Sequence, residues 1–149
     1  MTVRAIGRTT LLVRDYEDAL SFYRDRLGFH VLHDSKSPNG GRYLHIGIAA
    51  QQDEMAVGLW LMEAKGADSI LVGRQAGDQP FLVLYTDDCE ATIRQMEAAK
   101  VEIRKAPDSR EGATFAHVAD LYGNEIVIVE LEKVSPSVTQ NFRVGQVRK

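Results

Sequence analysis

The chain contains one pattern twice. Residues 8–31 run strand, helix, strand: Arg8-Thr9-Thr10-Leu11-Leu12-Val13, a helical stretch over 15–27, then Phe29-His30-Val31-Leu32. Residues 81–103 repeat that order with Phe81-Leu82-Val83-Leu84-Tyr85-Thr86, a helix over 88–100, and Val101-Glu102-Ile103. Further on, Tyr43-Leu44-His45-Ile46 stands 72 residues before Phe115-Ala116-His117-Val118. A unit of this length is too long for the small repeats of a solenoid. Two copies of one module imply a pseudo-twofold axis and a shared cleft, and function is expected in that cleft.

The bulk properties narrow the partners. A chain of 149 residues buries one respectable core, which suits a single domain made of two halves. A net charge of −3 and a pI near 5.8 give no electrostatic case for nucleic acid. No apolar run approaches the roughly 18 residues of a membrane span. Met1-Thr2-Val3-Arg4 lacks the apolar core of a secretion signal. The single cysteine, Cys89, permits no internal disulfide and no zinc cluster, so a reducing cytoplasm is the expected compartment. Cys89 falls in the first turn of a helix, where the dipole lowers a thiol pKa, but Asp87, Asp88 and Glu90 oppose that effect.

The local signals place the elements. Asp15 can cap the first helix and Gly28 end it, while Ala19, Leu20, Tyr23 and Leu27 recur at helical spacing and face a sheet. The second helix begins at Asp87 or Asp88, with Glu90 three residues after Asp87 in capping-box fashion. Its stripe is Ile93, Met96 and Ala99 or Lys100, and Lys100 stands where a terminating glycine is expected. Pro38-Asn39-Gly40-Gly41, Gln51-Gln52-Asp53-Glu54, Pro107-Asp108-Ser109 and Tyr122-Gly123-Asn124 mark turns or loops between short strands. The fold class expected is α+β: two βαβββ modules in tandem, curling a mixed sheet around a cleft with helices on the outer face. One domain covers 1–132, with modules at about 5–63 and 80–131 and a linker over 64–79. The basic tail, 133–149, contains Pro136 and no acidic residue, and a solvated tail is preferred to an arm wrapping a partner.

At this point the residues resemble a family. Val13-Arg14-Asp15-Tyr16-Glu17-Asp18-Ala19-Leu20-Ser21-Phe22-Tyr23, followed by Leu27-Gly28-Phe29, is similar to the first-module signature of the vicinal oxygen chelate superfamily. That superfamily includes glyoxalase I, bleomycin-resistance proteins, fosfomycin-modifying enzymes and extradiol dioxygenases. Asp120-Leu121-Tyr122-Gly123-Asn124-Glu125-Ile126 resembles its second-module turn. The resemblance spans residues 8 to about 131 and implies a divalent metal held by His, Glu or Gln on four strands. The first-strand ligand falls on Arg8, its second-module counterpart on Phe81, and the last-strand ligand on Val127; the fourth lies among Leu59, Trp60 and Leu61. Arginine stays protonated, and phenylalanine and valine have no lone pair to offer, so the family's metal site looks dismantled. Glu63 and Glu130 fall at or beyond strand ends, and Glu125 is out of register for that site.

What remains is a binding face. Strand alternation puts Tyr43 with His45, and Phe115 with His117. Arg8 and Thr10 on the first strand, Trp60, Phe81 and Tyr85 complete the candidate ligand-binding set, with Arg8 an anion anchor and the aromatics a stacking surface. The structural alternatives are ordinary core packing for the aromatics, an exposed charge for Arg8, and histidines hydrogen-bonded within the sheets. His30 and His33 are expected at the solvated surface. The reading favoured is a small-molecule binding protein of the glyoxalase and bleomycin-resistance type, without cofactor or metal, acting as a homodimer on an anionic or aromatic ligand. The rival is a metal-dependent lyase, isomerase or dioxygenase using unusual ligands such as His45 and His117.

Overall fold

Each module is organised by an aspartate that starts its helix. In the computed structural model, which describes residues 2–48 and 57–131, Asp15 accepts from the Asp18 N–H and begins α1 (Tyr16–Tyr23). Asp88 accepts from the Ala91 N–H and begins α2 (Cys89–Ala98). Asp88 is therefore the cap, and the capping box expected from Asp87 and Glu90 does not form. The regular part of α1 ends four residues short of Leu27, because the last turn closes through wider bonds such as Leu27 N–H to Phe22 C=O, five residues back. Gly28 ends that turn in the left-handed region, and Lys100 takes up the same conformation after α2 at φ 68°.

The strands form two four-stranded mixed sheets. The first contains β1 (Arg8–Val13), β2 (His30–Lys36), β3 (Arg42–Gly47) and β4 (Gly58–Glu63) in the order β1-β4-β3-β2. The second contains β5 (Leu82–Tyr85), β6 (Glu102–Arg110), β7 (Ala113–Ala119) and β8 (Glu125–Leu131) in the order β5-β8-β7-β6. β1 runs parallel to β4, and β5 to β8; the remaining pairs are antiparallel. This is the tandem βαβββ architecture expected from the repeat. Pro107-Asp108-Ser109 is not a turn but lies within β6, an edge strand whose register shifts between Lys105 and Asp108. Proline is tolerated there because an edge or a bulge asks for no ladder N–H. The turn falls instead at Glu111 and Gly112, both at positive φ. The loop at Gln51-Gln52-Asp53-Glu54 and the basic tail lie outside the described residues.

The core decides which face of each sheet is left for a ligand. Ala19, Leu20, Phe22 and Tyr23 of α1, with Ile93 and Met96 of α2, bury against Leu11, Val13, Ile46, Leu61, Val118, Ile126 and Ile128 in one cluster. Burying each large apolar side chain stabilises the fold by about 1.5–3 kcal/mol, so strand alternation fixes the opposite residues outward. Phe22 extends the stripe read from the sequence, and Cys89 joins it. Burial, with Glu130, Glu90 and Asp88 nearby, pushes the Cys89 thiol up, which fits a packing role.

Besides the shared core, polar contacts tie the modules together. The buried Asp120 carboxylate accepts from the Tyr23 hydroxyl of α1 at 2.7 Å, and from the Tyr122 and Asn124 N–H groups and the Asn124 side-chain amide. This explains the polar turn motif after β7: its carboxylate holds the turn and receives the helix of the other module. Burial first, then Asp120, raises the Tyr23 phenol well above its ordinary value. The Tyr122 hydroxyl accepts from the Arg14 N–H at 3.0 Å just beyond β1. The linker between the modules, which includes a short 3-10 helix (Gly66–Leu71), passes hard against this turn: a Cβ on Gly73 would lie 2.1 Å from the Tyr122 carbonyl oxygen. It also sends Gln75 to the outer edge of β1, where the side-chain amide accepts from Leu12 N–H at 2.8 Å and donates to Thr10 C=O at 2.7 Å.

Candidate functional site

The outward faces carry the candidate residues in two groups, one per sheet. On the first, the register sets Arg8 opposite Gly58, Thr10 opposite Trp60, and His45 between Trp60 and His33. The His45 and Trp60 rings lie 5.1 Å apart, Tyr43 and Trp60 6.1 Å, and His33 and His45 5.4 Å. The Arg8 Nε donates to His45 Nδ1 at 3.2 Å. Arg8 is thus neither simply an exposed charge nor an uncommitted anion anchor. Its bond fixes the neutral tautomer of His45 with the proton on Nε2. Burial foremost, then Arg8 and His33, lowers the His45 pKa and favours the same neutral form. The His45 Nε2 and Trp60 Nε1 donors are buried within this cluster and have no hydrogen-bond partner among the described residues.

His33 lies exposed, at the solvated position expected for it, yet its ring also borders this group. The register of β2 shifts between Val31 and His33, so the bulge places His33 directly opposite His45. The extra residue, Leu32, crosses the sheet face over two glycines: a Cβ on Gly47 or Gly58 would meet Leu32 Cδ1 at 2.7 or 2.8 Å. Nothing in a single sequence marks that bulge.

On the second sheet, His117 lies between Lys105 and Val127, and Phe115 between Asp108 and Val129. Tyr85 faces Val129 and is 74% exposed. Phe81 donates its backbone N–H to Glu125 and packs half-buried against the core. The Glu125 carboxylate reaches His117 Nδ1 at 3.1 Å, a contact the sequence reading did not foresee. Among the described residues no hydrogen bond or ring contact joins the two groups. A cavity of 590 Å³ at the module junction is lined by apolar residues including Phe29, Ile46, Leu82 and Met96, and of the candidates it takes only Tyr85.

The register also settles the fourth metal-equivalent position. Trp60 pairs with His45 as Val127 pairs with His117, so the repeat places Trp60 where Val127 stands. Arg8, Trp60, Phe81 and Val127 offer no lone pair to a divalent ion, and the residues present do not fit the family's metal. Among the described residues there is no group of three or more His, Cys, Asp or Glu placed to hold one. His45 and His117, the alternative ligands, sit on different sheets with their Nδ1 atoms already engaged.

The fold and these two faces define the class. The family model described as the Glyoxalase/Bleomycin resistance protein/Dioxygenase superfamily matches residues 5–128, and the chain belongs to that superfamily. Among solved structures it is similar to UcmS2, at 24% identity and a TM-score of 0.74, covering 87% of this chain and 98% of that one. It is also similar to TnmS3, an antibiotic binding protein from Streptomyces sp. CB03234, at 23% identity and a TM-score of 0.72, covering 89% and 99%. An uncharacterized protein of Shewanella frigidimarina (strain NCIMB 400) is 28% identical over 135 residues, 89% of this chain and 98% of its own length. No helix among the described residues is long and apolar enough to cross a membrane.

Proposed function

We infer that the protein binds a planar, acceptor-bearing small molecule without a metal, on the face built by Tyr43, His45, Trp60 and Arg8. The observation that carries this reading is the pair of buried N–H donors, His45 Nε2 and Trp60 Nε1, inside an aromatic cluster and without a partner among the described residues. A buried donor without an acceptor costs about 1–3 kcal/mol, which a ligand carbonyl or ether oxygen would offset while its ring stacks on the indole. The likeness to TnmS3, an antibiotic binding protein, supports sequestration rather than turnover. Exposed apolar side chains beside the second sheet, Val83, Tyr85 and Leu131, favour a homodimer, and light scattering should give twice the monomer mass.

The chain has one tryptophan, so its fluorescence reports on this face alone. Titration with planar aromatic ketones such as flavone should quench Trp60 and raise the melting temperature, since a ligand of the native state stabilises it. Trp60→Ala should weaken binding at least tenfold while the protein still unfolds cooperatively. A panel that neither quenches nor stabilises would remove the proposal.

A further inference from the structure

The two histidines related by the repeat are wired in opposite senses. His45 Nδ1 accepts from a guanidinium, so its other ring nitrogen, the buried Nε2, carries a proton and can only donate. His117 Nδ1 meets the Glu125 carboxylate, an obligate acceptor when ionised, so Nδ1 must carry the proton and Nε2 is left with its lone pair. The His117 and Glu125 side chains are 25% and 26% exposed, half sheltered on an outward face rather than locked in the core. Lys105 stands opposite His117 on β6 with its ammonium 5.6 Å over the Phe115 ring, and Asp108 is paired with Arg110. Of the other charged groups on the neighbouring strands, Glu102 is paired with Arg104, and Glu130 accepts from the Cys89 N–H.

We propose that His117 and Glu125 form a proton-accepting dyad that takes the hydrogen of an acidic O–H on an aromatic ligand. The inference rests on the reading that these faces bind small aromatic molecules, and it adds the class: phenols or enols of acidity close to imidazolium. The step is a single proton transfer. The ligand O–H bond breaks, an N–H bond forms at His117 Nε2, and the resulting imidazolium keeps its Nδ1–H on the Glu125 carboxylate. The phenolate stays beside the cation it has created, so the complex gains no net charge and no co-reactant is needed. A carboxylate that orients the ring and stabilises the imidazolium serves the same purpose in acid–base sites generally. His45 cannot do this, because a second proton would have to arrive beside Arg8.

The test uses 4-nitrophenol, colourless when neutral and yellow as the anion. Binding is measured by equilibrium dialysis and ionisation by the colour of the bound fraction, at a pH about one unit below the probe's own pKa. The wild type should hold the probe with an anion fraction several-fold above that of free probe. His117→Asn should bind it with the colour of free probe or less, and Glu125→Gln should bind it with an intermediate colour. Because colour is scored per bound molecule, lost affinity or partial misfolding cannot imitate the result. Probe bound colourless by the wild type, or equally yellow in His117→Asn, overturns the dyad. If flavone still quenches Trp60 while 4-nitrophenol fails to bind or binds colourless, the dyad falls and the binding function stands; if neither binds, both fall.

Discussion

The two modules share a backbone plan and differ in what they place beside one histidine. In the first, the partner of the ring comes from the parallel edge strand, as Arg8, and the position on β4 that could carry an acid is Gly58. In the second, the edge strand supplies Phe81 and the acid appears on β8 as Glu125. The aromatic neighbour exchanges too: Trp60 stands beside His45, whereas Val127 stands beside His117. The bulges fall at matching places, between Val31 and His33 and between Ile103 and Lys105. One backbone therefore presents a donor-bearing aromatic face and an acceptor-bearing face by substituting a handful of side chains.

The strongest way to break the comparison is to force the first module toward the second at Gly58. A Cβ there would meet the Ile46 carbonyl oxygen and Leu32 Cδ1, both at 2.8 Å, so even alanine must displace backbone. Gly58→Ala should cost about 1–3 kcal/mol in chemical denaturation, as overpacking does. A cost near zero would mean that the absence of an acid from this position has no steric cause. A gentler change sharpens the contrast. Arg8→Phe copies the second module at β1 and removes the guanidinium from His45. The imidazole nitrogen signals should then show the tautomer preference relaxing, with the ring titrating closer to its ordinary 6.5.

The smallest effect is in stability against pH. Burial, Arg8 and His33 depress the folded pKa of His45 below its unfolded value, so the fold prefers the neutral ring. The contribution is complete above about pH 6.5 and is lost as pH falls through the folded value, because the unfolded chain takes up the proton first. A melting-temperature profile should fall on that acid side, and His45→Gln should flatten this part of it. The opposite slope would contradict the environment described for the ring.

Much of this was legible in the sequence because local rules govern it. Asp15 and Asp88 announced the helices, and alternation put Tyr43 with His45 and Phe115 with His117; only the resemblance to the superfamily marked Arg8, Phe81 and Val127 as ligand-equivalent positions. What was hidden depends on register between distant strands. Whether His45 meets Arg8, or His117 meets Glu125, is set by pairing across β1, β3, β4, β7 and β8. The place of His33 turns on a bulge with no residue signature, and Pro107 signalled a turn although an edge strand accommodates it. Trp60 emerged as the fourth metal-equivalent position only once His45 gave it a register.

Gln75 carries one more consequence. By satisfying both Leu12 N–H and Thr10 C=O, a single side chain acts as a surrogate strand along the rim of the first sheet. Strand recruitment by a foreign or misfolded chain is thereby discouraged on that side, with no charge or proline spent inside β1. The segment joining the modules thus covers part of that rim, and Gln75→Ala would leave the Leu12 N–H and Thr10 C=O open to pairing with another chain.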